Sequence, residues 1–179
     1  MMLTMLLCAS FATADEQLQL ALDLFGEGDW DSCRRECRRV LISSPDLTEA
    51  RVLAATCGLR LDRDVESNLY ALEQIADDES ARMEMRALAA YEAGREHWRA
   101  GELEPAYHRF TFAYLHSKSD AIFLRSGCSL FLLMKADKAL RSKSASIYAQ
   151  IRSTRDLYDW SLQKECIWSL AINYTKRGF

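Results

Sequence analysis

Residues 87–119 read ALAAYEAGREHWRAGELEPAYHRFTFAYLHSKS, and this stretch decides the fold. An apolar helical pattern carries the small pair Ala93-Gly94 at its centre and stops at Gly101. A second pattern follows with Ala106, Phe110 and Ala113, its small residue twelve positions after Gly94. A small side chain on each of two successive helices lets their backbones approach closely, and the glycine between them supplies the left-handed conformation that ends the first helix. The spacing predicts a helical hairpin. It recurs twice, as Ala21 with Cys33 and as Gly127 with Ala139, and the turn phrase itself recurs as Gly28-Asp29-Trp30, Gly101-Glu102-Leu103 and Gly178-Phe179. These eight residues, Ala21, Gly28, Cys33, Gly94, Gly101, Ala106, Gly127 and Ala139, are the expected repeat-packing positions.

The composition agrees with an all-α chain. Among 179 residues, 49% are hydrophobic and 27% charged, enough to fill a core. Two prolines, seven glycines and the absence of any Asn-Gly or Asp-Gly pair argue against a many-turned β fold. A net charge of −3 gives no global pull toward nucleic acid or an anionic membrane, so nucleic acid is excluded as the expected partner.

A unit of about 34 residues with small, aromatic and proline positions in this order resembles the tetratricopeptide repeat. The first unit, Ala14 to Leu47, carries Leu20-Ala21, Phe25, Gly28-Asp29-Trp30, Cys33, Cys37, Val40 and Pro45, with cysteine at two positions where the family has Ala and an aromatic. The best match runs from Ala87 to Ser119, with Lys118 where a closing proline is expected and Pro105 in the first turn of its second helix. Thr48 to Arg86 is a stretched unit that lacks the turn glycine, with Ala54-Ala55 on one helix and Tyr70, Leu72 and Ile75 on the other. Asp120 to Gln163 is the least regular, with Lys143 at an aromatic position and an insertion near Ser153. From Lys164 the pattern restarts with Trp168, Leu170-Ala171 and Tyr174 and stops at Gly178-Phe179. The resemblance implies an α-solenoid of antiparallel helical hairpins, about four repeats plus a terminal helix and about nine helices in all. The last helix reads equally as a polar cap or as the first half of a hairpin continued elsewhere.

Leu3 to Phe11 is apolar, and Ala12-Thr13-Ala14 has the small-x-small form of a secretory cleavage site, so residues 1–14 read as a signal peptide and 15–179 as the repeat domain. The absence of Lys or Arg before the apolar run departs from the usual leader, and a cytoplasmic protein whose apolar start packs on the first helix is the other reading. Bulky Leu7 before Cys8 disfavours a lipoprotein. Cys33 and Cys37 share a helix face; packing as small hydrophobes is the expected role, because no second pair of metal ligands accompanies them.

By the resemblance, the first helix of each pair lines a concave surface, which places Arg60, Tyr91, Arg95, Trp98, Arg99, Phe131 and Trp168 in a groove for a peptide or protein segment. Tyr91, Arg95 and Trp98 fall at i, i+4 and i+7, one side of a helix. The same spacing builds a core, and for aromatic residues that is the commoner outcome. Arg34, Arg35, Arg38 and Arg39 form a basic patch whose ordinary role is helix solubility and whose other reading is contact with an acidic partner or lipid headgroups. His97, His108 and His116 show no metal spacing, and no phosphate loop or nucleophile elbow stands out. The expected function is a non-catalytic, cofactor-free interaction scaffold, exported to a bacterial periplasm. The alternative is the leading repeat region of a larger envelope or membrane-associated protein whose activity lies beyond Phe179.

Overall fold

The computed structural model describes residues 13–143 and 145–153, and every regular element among them is helical. The order is α1 (Ala14–Glu27), α2 (Trp30–Ser43), α3 (Thr48–Arg60), α4 (Val65–Asp77), α5 (Met83–Ala100), α6 (Leu103–His116), α7 (Asp120–Ala136), α8 (Lys138–Lys143) and α9 (Ala145–Ser153). Consecutive helices pack against each other from α1 to α7, and α1 also touches α3, α3 touches α5 and α5 touches α7. Residues 154–179, with Trp168 and the turn at Gly178, lie outside the described residues, so the nine helices here are not the nine expected. After Asp120 the described residues hold the long α7 and, directly after it, α8 and α9, which both pack on α7.

Three turns share one closure. Gly28 sits at φ 80° and Gly101 at φ 83°, and the residue after each donates its N–H five residues back, Asp29 to Leu24 O at 3.0 Å and Glu102 to His97 O at 2.9 Å. Such a bond satisfies carbonyls that the ending helix orphans. The turn between α3 and α4, which lacks a glycine, closes the same way: Arg63 N–H donates to Gly58 O at 2.9 Å, with Asp62 at φ 52°. Asp tolerates the left-handed region better than most residues, at a cost of about 1–2 kcal/mol. Asp64, also at positive φ, then leads into α4.

α1 opens with a reciprocal cap: Thr13 N–H donates to Glu16 Oε2 at 2.8 Å and Glu16 N–H donates to Thr13 Oγ1 at 3.3 Å. Residues 1–12, most of the expected leader, lie outside the described residues. Cleavage after Ala14 would remove Thr13 and this cap with it.

The core follows from which faces the turns bring together. α3 is sandwiched: Leu53 and Cys57 face a cluster with Ala21, Cys33 and Cys37, while Val52, Ala55 and Leu59 join the main cluster with α4 to α7. At the α5–α6 crossing, a Cβ on Gly94 would stand 2.9 Å from the fully buried Phe110 ring and 3.2 Å from Arg109 Cβ. The glycine is therefore the space into which Phe110 fits. Between α3 and α4 the close approach belongs to Gly58, where a Cβ would run into the Asn68 amide, and not to Ala54-Ala55. Leu72 and Ile75 are buried on α4, and Tyr70 is exposed.

The last expected packing pair does not form. Gly127 is buried within α7, whereas Ala139 is exposed on α8 and its neighbour Leu140 is buried. Asp137 resets the chain by accepting from the N–H groups of Ala139 and Leu140 at 2.7 and 3.2 Å, which starts the new helix close to the old one and turns the neighbouring side chain inward. Gly94→Leu should cost about 1–3 kcal/mol by overpacking and lower the thermal midpoint, whereas Ala139→Leu should leave the midpoint unchanged.

Candidate functional site

α5 carries alternating charges at Glu92, Arg95, Glu96 and Arg99, a spacing that keeps all four on one side of the helix. The side-by-side placement of α3 brings Arg60 to the same side. Arg60 Nη2 donates to both oxygens of Glu92 at 3.0 and 3.1 Å, and Arg95 Nη1 donates to Glu92 Oε2 at 3.0 Å. Arg99 pairs with Glu96 through Nε at 2.8 Å and Nη2 at 2.6 Å, and with Asp62 of the left-handed turn. Arg60 lies over the Trp30 ring, 5.6 Å from its centroid, and Arg95 over Tyr91 at 5.9 Å.

Glu92 is the pivot of this face. It is 5% exposed, and burial pushes its carboxyl above the usual carboxylate range, against the pull of Arg60 and Arg125. The Nε groups of Arg60 and Arg95 are buried and have no hydrogen-bond partner among the described residues. Two guanidinium groups touch one carboxylate, and each keeps donors beyond those it uses on Glu92.

The structure divides the expected groove residues by type. Arg60, Arg95 and Arg99 share the charged face. Tyr91 and Trp98 do not line it: both are buried, each with its ring centroid 5.9 Å from Phe110, because α6 covers that side of α5. Phe131 is half-buried against the main cluster, and Trp168 lies outside the described residues. Sequence reasoning missed the acidic partners, Glu92, Glu96 and Asp62, although the three- and four-residue spacing along α5 could have shown the first two. On α2, Arg35, Arg38 and Arg39 are exposed, and only Arg34 departs from a solvated basic face. Arg34 is 7% exposed and donates to Asp64 at 2.7 Å, Arg35 pairs with Asp31 at 2.5 Å, and Arg39 with Glu36 at 2.7 Å. Asp64 reaches Arg34 because the α3–α4 turn folds back onto α2.

A second polar cluster lies where α4, α5 and α6 meet. His97 Nδ1 is 2.6 Å from Glu102 Oε2, and Nε2 is 3.0 Å from Glu73 Oε1. Arg109 donates to Asp77 at 2.5 and 2.9 Å. His108 and His116 contact the rings of Tyr107 and Phe112. Among the described residues no group of three His, Cys, Asp or Glu side chains is arranged to hold a metal, and no helix is long and apolar enough to cross a membrane.

Compared with known protein families, curated proteins and solved structures, the chain matches none. The site therefore stands on its own geometry.

Glu92→Ala should be costly, about 3–5 kcal/mol in a denaturant titration, because it leaves two partly buried guanidinium groups without their counter-charge. At Asp77, the hydrogen bond from Arg109 holds the carboxyl below the usual carboxylate range. Its stabilisation is therefore present above the unfolded carboxylate pKa and is lost as pH falls through the lowered folded value. Asp77→Asn should flatten the acid limb of a stability-against-pH curve, measured by thermal unfolding across that range.

Proposed function

We propose that the chain is a non-catalytic interaction scaffold, an α-solenoid of hairpins similar to tetratricopeptide repeats, that holds an extended acidic protein segment against the face shared by α3 and α5. The observation that carries this reading is the convergence of Arg60 and Arg95 on the single buried Glu92, with Arg99 one turn further along the same helix. Ion pairs with Glu92, Glu96 and Asp62 hold the guanidinium planes in place before any partner arrives, so less rotamer entropy remains to be lost on binding. A carboxylate of the partner would take the donors these arginines have left, in the two-pronged geometry that guanidinium favours. The buried aromatics Tyr91 and Trp98 act beneath this face, as the floor that keeps α5 in position. Contacts between alternate helices support the repeat architecture, since a stack of hairpins sets the first helices of neighbouring units side by side. Export to an envelope compartment belongs to the same proposal and rests on the apolar run and small-residue exit of residues 3–14.

The test uses fluorescence anisotropy with labelled peptides of matched length, one set rich in Asp and Glu and the other in Lys and Arg. The acidic set should bind, with affinity that falls as salt rises, and Arg60→Gln with Arg99→Gln should weaken binding tenfold or more while the helical circular dichroism is kept. Equal binding of both sets, or affinity unaffected by the two substitutions, contradicts the proposal.

A further inference from the structure

Away from the charged face, α1, α2 and α3 enclose a small core of its own. Three of its five buried residues are thiols, Cys33, Cys37 and Cys57, all fully buried. The first two come from α2, and the third arrives from α3. Cys57 Sγ lies 3.1 Å from Cys33 Sγ, across 24 residues of chain. A disulfide bond of about 2.0 Å needs a closing movement of only about 1 Å from there.

Helix geometry chooses between the possible partners of Cys33. Side chains four apart on a helix have Cβ atoms about 5–6 Å apart, whereas a disulfide wants about 3.5–4.5 Å, so a Cys33–Cys37 bridge would distort α2. Cys57 stands on a different helix and carries no such constraint. Charge points the same way. Hydrogen bonds from Cys37 and Cys57 pull the Cys33 thiol down, and the same bonds together with burial push Cys37 and Cys57 up. Of the three sulfurs, Cys33 is the one that the hydrogen bonds of its neighbours favour as thiolate, the form that attacks a disulfide.

We propose that Cys33 and Cys57 form a disulfide that staples α2 to α3, the joint between the first two hairpins, while Cys37 stays a thiol. The oxidant is a glutathione-type disulfide. Cys33 thiolate attacks one of its sulfurs, its S–S bond breaks, and one glutathione leaves with the proton that Cys33 gave up. Cys57 then attacks Cys33 Sγ and releases the second glutathione, which takes the Cys57 proton. Two protein thiols are oxidised by two electrons, and one glutathione disulfide is reduced to two thiols. Because both sulfurs are buried in the folded chain, the exchange belongs to folding, before α1 closes over α2 and α3.

The full chain, purified with its thiols reduced, is unfolded and refolded in glutathione redox buffer. Remaining thiols are alkylated and the protein is digested with trypsin, whose cuts after Arg34 and Arg35 separate Cys33 from Cys37. Mass mapping should give a linked peptide containing Cys33 and Cys57, with Cys37 alkylated. The thermal midpoint should rise on oxidation and fall back with dithiothreitol. Cys37→Ala should keep the link and Cys57→Ser should abolish it. A dominant link from Cys37 to either partner, links scattered over all six cysteines, or Cys33 and Cys57 both alkylated would overturn the proposal. No Lys or Arg precedes Arg34, so Cys8 shares the tryptic peptide of Cys33; fragment-ion sequencing of the linked peptide should place the bond on Cys33 with Cys8 alkylated, and a bond on Cys8 would overturn the proposal.

Discussion

The reversal of direction at Gly28, Asp62 and Gly101 is the constraint on which the rest depends. At each of these positions one residue takes the left-handed conformation and the next returns its N–H to a carbonyl five residues back. Sharp reversals after α1, α3 and α5 pack each of these helices on its successor, and α1 also touches α3, α3 touches α5 and α5 touches α7. The alignment of α3 with α5 follows, and so does the salt bridge by which Arg60 reaches Glu92 across 32 residues. The closure is local, but its consequence is long-range.

At two crossings, α3 with α4 and α5 with α6, a glycine sets how closely the helices approach. Gly94 receives Phe110, and Gly58 receives Asn68. Phe110 in turn gathers Tyr91 and Trp98 around its ring, so one absent Cβ positions three aromatic residues. With those rings beneath it, α5 has its remaining side free for charge. Burial then makes the ionic pairing on that side obligatory, because an isolated carboxylate at the depth of Glu92 would be strongly disfavoured.

The features legible in the sequence were those decided within a few residues. Gly28 and Gly101 announce their own backbone conformation, and Cys33, Gly94 and Ala106 are small enough to mark a crossing without knowledge of what they meet. Asp62 hid the middle turn because aspartate in the left-handed region looks like any other surface acid. Ala139 satisfied the same spacing as Ala106 but is exposed, since Asp137 begins a new helix where no glycine turn intervenes. The aromatics of α5 were ambiguous for a different reason: core and groove demand the same helical spacing, and only the position of α6 decides between them. The pairings of Arg34 with Asp64, Cys57 with Cys33 and Arg60 with Glu92 were invisible because each joins residues 24 to 32 positions apart.

The central claim is that alternate helices lie side by side, and a double-mutant cycle on Arg60 and Glu92 tests it most directly, with unfolding free energies measured for Arg60→Ala, Glu92→Ala and the pair. Residues in contact should show a coupling of about 0.5–3 kcal/mol. Effects that add to within about 0.3–0.5 kcal/mol, as for residues well separated in space, would contradict the placement of α3 beside α5 and the charged face built on it.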